Sequence, residues 1–330
     1  MSLLISNPVY KPFKYPWAYN AWKTQQQIHW IADEVSLSDD VHDWRKKLTV
    51  SEKYLLTQIL RFFTQADIEV NNCYMRHYSK VFMPTEIQMM LSAFSNIETV
   101  HIDAYSHLLD TIGIPETEYQ AFLEYKEMKD KYDYMQDFNV DSRFDIARTL
   151  AVFGAFTEGL QLFASFSMLL NFQRFGKMKG MGQIVAWSVR DETLHTHSIA
   201  KLFRTFIQEN QDIWNKELRQ SLYQACETIV KHEDSFIDLA FKCVKDIEGM
   251  CANDIKLYIR FIANRRLRQL DLEPIYKVNK NPLPWIDELT IAGEYVNFFE
   301  NRVTEYAKGA TQGTWDTAFK TLDNYSKNKC

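Results

Sequence analysis

Apolar residues recur at three- and four-residue spacing along most of the chain, in runs long enough for extended helices. The first long run starts at Thr49 or Ser51, either of which caps a helix with Glu52 in its first turn, and continues to about Ser79. Pro84 and Thr85 open a second that stops at Gly113, and Pro115 opens a shorter, charged one to about Tyr132. Asp141 or Ser142 caps a strongly apolar helix ending near Gly176, and Gly182 to about Ile207 makes the next. Further helices are expected over 211–248, 252–269 and 285–307, with Asn281-Pro282-Leu283-Pro284 as a break. Ahead of them, residues 1–45 read as an arm in extended form. Pro8, Pro12 and Pro16 interrupt it, and Tyr10, Phe13, Tyr15, Trp17 and Tyr19 can pack it onto a body. From 309 to 330 the pattern fades into a flexible C-terminal tail. The expectation is one all-α domain over residues 1–308, a bundle of long helices, followed by that tail.

Composition narrows the class. Ten glycines and eight prolines in 330 residues are too few for the many turns of a sandwich or propeller. A net charge of −5 argues against a nucleic-acid-binding surface, which carries a basic face. Five cysteines, an odd number with no Cys-x-x-Cys, fit a reducing compartment, and Met1 to Tyr19 lacks the basic flank and apolar run of a signal peptide. A cytoplasmic protein is expected. One stretch, Leu150 to Leu170, is long and apolar enough to span a bilayer. Glu158 and Gln161 sit near its middle, however, and a lone carboxylate in lipid is costly. The same stretch makes sense as a helix buried on all sides of a bundle, with no membrane involved.

Two Glu-x-x-His motifs, Glu98-Thr99-Val100-His101 and Glu192-Thr193-Leu194-His195, lie inside long helices. Their spacing puts both side chains of each pair on one face, close enough to bind one ion. Composition alone produces such pairs at times, so their surroundings decide. Glu158 and Asp67 are two further acids in apolar helical surroundings, and a buried carboxylate needs a partner. The ordinary partner is a buried base. None occurs near the middle of the 150–170 segment, which leaves a metal. Two lone carboxylates and two Glu-x-x-His pairs are the donor set of a carboxylate-bridged dinuclear site in a ferritin-like bundle, and oxygen and imidazole suit iron or manganese. Such sites serve radical generation, oxygenation, desaturation, catalase activity or iron storage, and the fold does not choose. Tyr105, four residues after His101, shares the ligand face and is an oxidisable group.

The segments Glu98 to Tyr105, Arg190 to His195 and Asn281 to Ile286, with the ligand spacing, resemble the small, radical-generating subunit of class I ribonucleotide reductase over roughly residues 15–300. The resemblance implies that Asp67, Glu98 and His101 hold one metal and Glu158, Glu192 and His195 the other. It implies a stable radical on Tyr105, relayed by Trp30 through Asp191, and a homodimer. A large subunit, docked through the tail, would reduce ribonucleoside diphosphates. Iron is the first expectation for both metals, and a manganese or mixed pair is accepted by the same ligands. Tyr325 is the tail's candidate relay residue, while Trp315 and Phe319 are candidates for docking. The tail departs from the family's acidic, hydrophobic end, since it closes Lys327-Asn328-Lys329-Cys330. The rival reading is a ferritin-like di-iron oxidase or oxygenase acting on a small organic substrate, which has no use for Trp30 or the tail.

Overall fold

Thr49 opens the first long helix with a reciprocal cap. Its hydroxyl accepts from the Glu52 amide at 3.2 Å, and the Glu52 carboxylate accepts from the Thr49 amide at 2.8 Å. The computed structural model describes residues 2–136, 139–244 and 247–288, apart from the side chains of residues 64, 65, 119 and 120. Four long helical segments dominate. Val50–Asn72 carries Asp67 and continues as a π-helical stretch, Cys73–Tyr78. Thr85–Ile112 carries Glu98 and His101 and ends at Gly113, whose φ of 79° supplies the left-handed stop that glycine adopts without strain. Arg143–Thr149, capped by the Ser142 hydroxyl, runs into a π-helix over Leu150–Gln161 that carries Glu158, and then into Phe163–Arg174. Lys179–Glu209 carries Glu192 and His195.

The Glu158 helix packs along the His195 helix, the Asp67 helix along the Glu98 helix, and the Glu98 and His195 helices meet. Lys216–Phe241 and Ala252–Gln269 pack against the Glu158 helix as well. The most apolar window of Arg143–Arg174 is wholly buried, so the membrane-length stretch is the core helix of a bundle. Cys73, Cys226, Cys243 and Cys251 are free thiols.

Several boundaries differ from the sequence reading, each for a local reason. The arm is not extended throughout: Pro16–Gln27 is a helix, with Pro16 in the first turn, where its missing N–H costs nothing. That helix buries Ala18, Ala21 and Gln25 and packs on the Glu98 helix. The charged 115–132 segment breaks into Glu116–Gln120, a 3-10 turn Ala121–Glu124, and Lys126–Met135. The 211–248 helix narrows to Lys216–Phe241, because Asn215 caps it by accepting from the Leu218 amide at 3.0 Å. The His195 helix begins before Gly182. Asp40 accepts from the Gly180 and Met181 amides at 2.8 Å each, and Asp43 accepts from Met178 at 2.9 Å, so carboxylates from the arm satisfy its first turn. The helix expected over 285–307 is described only to residue 288, and the tail with Tyr325, Trp315 and Phe319 lies outside the described residues.

Candidate metal centre

The four helices bring all six expected ligands to one buried place. One ligand atom each from Asp67, Glu98, His101 and Glu192 lie within 4.8 Å of one another, and the same holds for Glu158, Glu192 and His195. The division into two threes is less clean than the sequence pairs suggest. Glu98 stands 3.4 Å from His101 Nδ1 and 3.1 Å from His195 Nδ1, while Glu192 stands 3.6 Å and 3.8 Å from the same two atoms. Glu98 and Glu192 therefore sit between the imidazoles, where a carboxylate can bridge two ions.

Asp67 Oδ2, Glu158 Oε1, both oxygens of Glu98 and Glu192, and His195 Nδ1 are buried and take part in no hydrogen bond. Such groups are rare because each costs about 1–3 kcal/mol or more. Seven at one point fit a divalent ion pair, and oxygen and imidazole are the donors iron and manganese accept. Electrostatics points the same way. Burial and then the Glu98 charge push Asp67 up to about 8. Burial and the crowded carboxylates also push Glu158 and Glu192 well up. Burial would raise Glu98 too, but the His101 and His195 imidazoles outweigh it and hold Glu98 at about 2. Burial lowers His101, yet Glu98 and Asp191 raise it to about 10. The cluster thus retains protons that a bound cation would displace.

The outer nitrogens of both histidines are tied down. His101 Nε2 lies 3.3 Å from Asp191 Oδ2, and His195 Nε2 lies 3.1 Å from Gln25 Oε1. Both partners are acceptors, so each Nε2 carries a proton, and each Nδ1 faces the carboxylates as the atom that a cation would take. Asp191 also accepts from Trp30 Nε1 at 2.8 Å, from the Gln25 amide at 3.3 Å and from Arg190 at 3.3 Å. Burial would raise this carboxyl, but these donors and His101 outweigh it and lower it. The structure therefore places Trp30, Asp191 and His101 in one hydrogen-bonded line.

Tyr105 is fully buried, and its hydroxyl donates to Ser188 Oγ at 2.9 Å, which in turn donates to the Ile184 carbonyl. Burial and the Asp67 charge hold the phenol well above its usual range, so it stays protonated. Its ring meets Phe63 edge-on at 4.7 Å, and Phe63 meets Phe166 at 5.2 Å. Phe94 instead lies against the His195 ring at 4.2 Å.

Gln25, Ser188, Tyr74 and Arg266 escape the sequence reading. Tyr74 donates to Glu158 Oε2 at 2.8 Å. A base does reach the Glu158 helix: buried Arg266, from the 252–269 helix, donates to the Gly159 carbonyl at 2.6 Å and to Gln269 at 3.0 Å. It serves the π-helical backbone, and among the described residues no Lys or Arg pairs with Glu158. Gly159 is required there, because a Cβ would lie 2.6 Å from Arg266 Nε and 2.8 Å from Thr196 Cγ2. Only Tyr74 carries a sequence signal, standing seven residues after Asp67 as Tyr105 does after Glu98.

A family model described as ribonucleotide reductase, small chain, matches residues 7–282. The probable ribonucleoside-diphosphate reductase small subunit 048L of Invertebrate iridescent virus 3 is 44% identical, over 96% of this chain and 88% of its own. The 376L counterpart of Invertebrate iridescent virus 6 is 42% identical, over 96% and 98%. Among solved structures, the ribonucleotide reductase R2 subunit from Clostridium botulinum superposes with a TM-score of 0.81 at 24% identity, over 88% of this chain and 94% of that one. The ribonucleotide reductase Rnr4 homodimer from Saccharomyces cerevisiae does so with 0.73 at 20%, over 92% of each chain. At these identities the structures speak for the fold, while the family model and the viral relatives speak for descent. The chain therefore belongs to the ribonucleotide reductase small-chain family, as a small subunit of ribonucleoside-diphosphate reductase.

Proposed function

We propose that Asp67, Glu98, His101, Glu158, Glu192 and His195 hold a dinuclear metal centre, with iron as its first candidate, and that Tyr105 carries the radical this subunit delivers. The observation that carries this reading is the set of buried, unbonded carboxylate oxygens around two oriented imidazoles. When bound, the centre supplies the oxidising power for a one-electron oxidation of a phenol. The protein's own groups do the rest. Ser188 accepts the Tyr105 O–H in a hydrogen bond and so orients it, and Phe63, backed by Phe166, keeps water from the ring. Trp30 and Asp191 form the outward path, with Asp191 holding the Trp30 N–H and the His101 N–H at one oxygen.

The same reading makes residues 1–308 one domain and 309–330 a docking tail for a large subunit. That partner reduces ribonucleoside diphosphates, Tyr325 relays the radical, and two copies of this chain pair as a homodimer. The tail is tested by deleting residues 310–330. Turnover with the large subunit falls to background, while metal loading and the radical signal stay at wild-type level.

The experiment that tests the radical assignment is Tyr105→Phe. Ring packing survives, at a stability cost under about 1.5 kcal/mol. The variant loads metal and consumes oxidant, but its persistent tyrosyl paramagnetic resonance signal and its reductase activity drop to background. Full activity with an undiminished signal would make Tyr105 an ordinary core residue.

A further inference from the structure

Tyr74 and Tyr105 occupy equivalent positions on neighbouring helices, each seven residues after the first candidate metal ligand of its helix. Their hydroxyls do different things. Tyr105 donates to Ser188, outside the ligand set, whereas Tyr74 donates to Glu158 Oε2. The remaining Glu158 oxygen, Oε1, is buried and unbonded.

We infer that Tyr74 is a positioning residue that reserves Oε2 of Glu158 and so confines this ligand to one-oxygen coordination through Oε1. The inference rests on the six-ligand reading above. A carboxylate binds a cation through one oxygen or both, and a strong hydrogen bond to one oxygen leaves the other as the donor. Tyr74 is suited to hold that choice. It is buried, and its ring is packed edge-on against Phe94 at 6.0 Å, Tyr78 at 5.8 Å and His195 at 6.1 Å. It also stands at the start of the π-helical stretch Cys73–Tyr78, so the local widening of the helix sets the direction of its side chain. Glu158 itself lies on the π-helix Leu150–Gln161. Two helical irregularities thus meet at one hydrogen bond.

The test is a Mn(II) titration of the full chain, followed by paramagnetic resonance and by the carboxylate stretching bands. It is run on wild type, Tyr74→Phe, Glu158→Ala and the double variant. Tyr74→Phe keeps the ring, and a circular dichroism melt checks its fold. The expected result is about 10-fold weaker binding of one Mn(II) equivalent, with the other unchanged, and a shift of one carboxylate band toward two-oxygen coordination. In the Glu158→Ala background, Tyr74→Phe has no further effect on either equivalent. Wild-type affinity and bands in Tyr74→Phe overturn the inference, as does a loss that persists undiminished without Glu158. Two-metal binding at wild-type affinity in Glu158→Ala alone overturns instead the assignment of Glu158 as a ligand, on which the inference stands.

Discussion

Asp191 and Glu192 are consecutive residues with equally buried carboxylates, yet they face opposite circumstances. Asp191 takes four side-chain donors, from Trp30, His101, Gln25 and Arg190, and its carboxyl is lowered despite burial. Glu192 takes no hydrogen bond and is raised by burial and by Glu98. A third case, Glu233, sits fully buried with Lys131 Nζ at 2.7 Å, the ordinary ion-pair solution. Burial alone therefore does not mark a metal ligand. What separates Glu192 from Asp191 and Glu233 is that both its oxygens are buried with neither a hydrogen bond nor a lysine, as are both oxygens of Glu98 and Oε1 of Glu158 around the same point.

The widest separation of the two neighbours comes from removing one charge at a time. Glu192→Gln at pH 8 relieves the crowded cluster, so the metal-free protein gains on the order of 1–3 kcal/mol in denaturant unfolding. The same variant fails to hold both metal ions, and its activity falls to background. Asp191→Asn replaces an acceptor by a group that is half donor, facing four donors. It loses on the order of 1–3 kcal/mol with or without metal, and metal affinity drops about 10-fold or more as His101 loses its anchor. If Glu192→Gln destabilised the metal-free protein as Asp191→Asn does, the contrast would collapse into a shared structural role.

A smaller effect is read from pH. The Asp67 carboxyl is raised to about 8 when folded, so the folded state holds its proton more tightly than the unfolded chain does. Its stabilisation is complete below the unfolded carboxylate range and is lost as pH rises through 8. Glu98 runs the other way, but it is held at about 2 and changes only in acid. The melting temperature of the metal-free protein therefore falls by on the order of a few degrees between pH 5.5 and 8, and Asp67→Asn flattens the slope. A slope unchanged in Asp67→Asn would assign the dependence to other groups.

What was legible in the sequence is what is local. Glu98 and His101, or Glu192 and His195, lie one helical turn apart, and Thr49, Ser142 and Gly113 punctuate their helices through neighbours a few residues away. Gln25 and His195 are 170 positions apart, and nothing near Gln25 distinguishes it from Gln26 or Gln27 until the helix is docked. Ser188 is hidden in the same way, as one more small polar residue in a long helix. Arg266, more than a hundred residues downstream, reaches the Gly159 carbonyl of the π-helix over Leu150–Gln161, a contact no local pattern announces. The 16–27 helix was obscured by its own start signal, since Pro16 follows Pro8 and Pro12 and reads as a third interruption.

The Gln25 amide has a consequence for the order of assembly. It bridges His195 to Asp191, so the outer nitrogens of the two histidines belong to one hydrogen-bonded circuit. Gln25 and Trp30 come from the beginning of the chain, whereas the His195 helix they meet is made more than 150 residues later. The earliest segment must therefore wait for the latest ligand helix before either imidazole is oriented. Loading is thereby postponed to a nearly finished fold, and a half-built chain has no oriented pair of imidazoles with which to capture an ion.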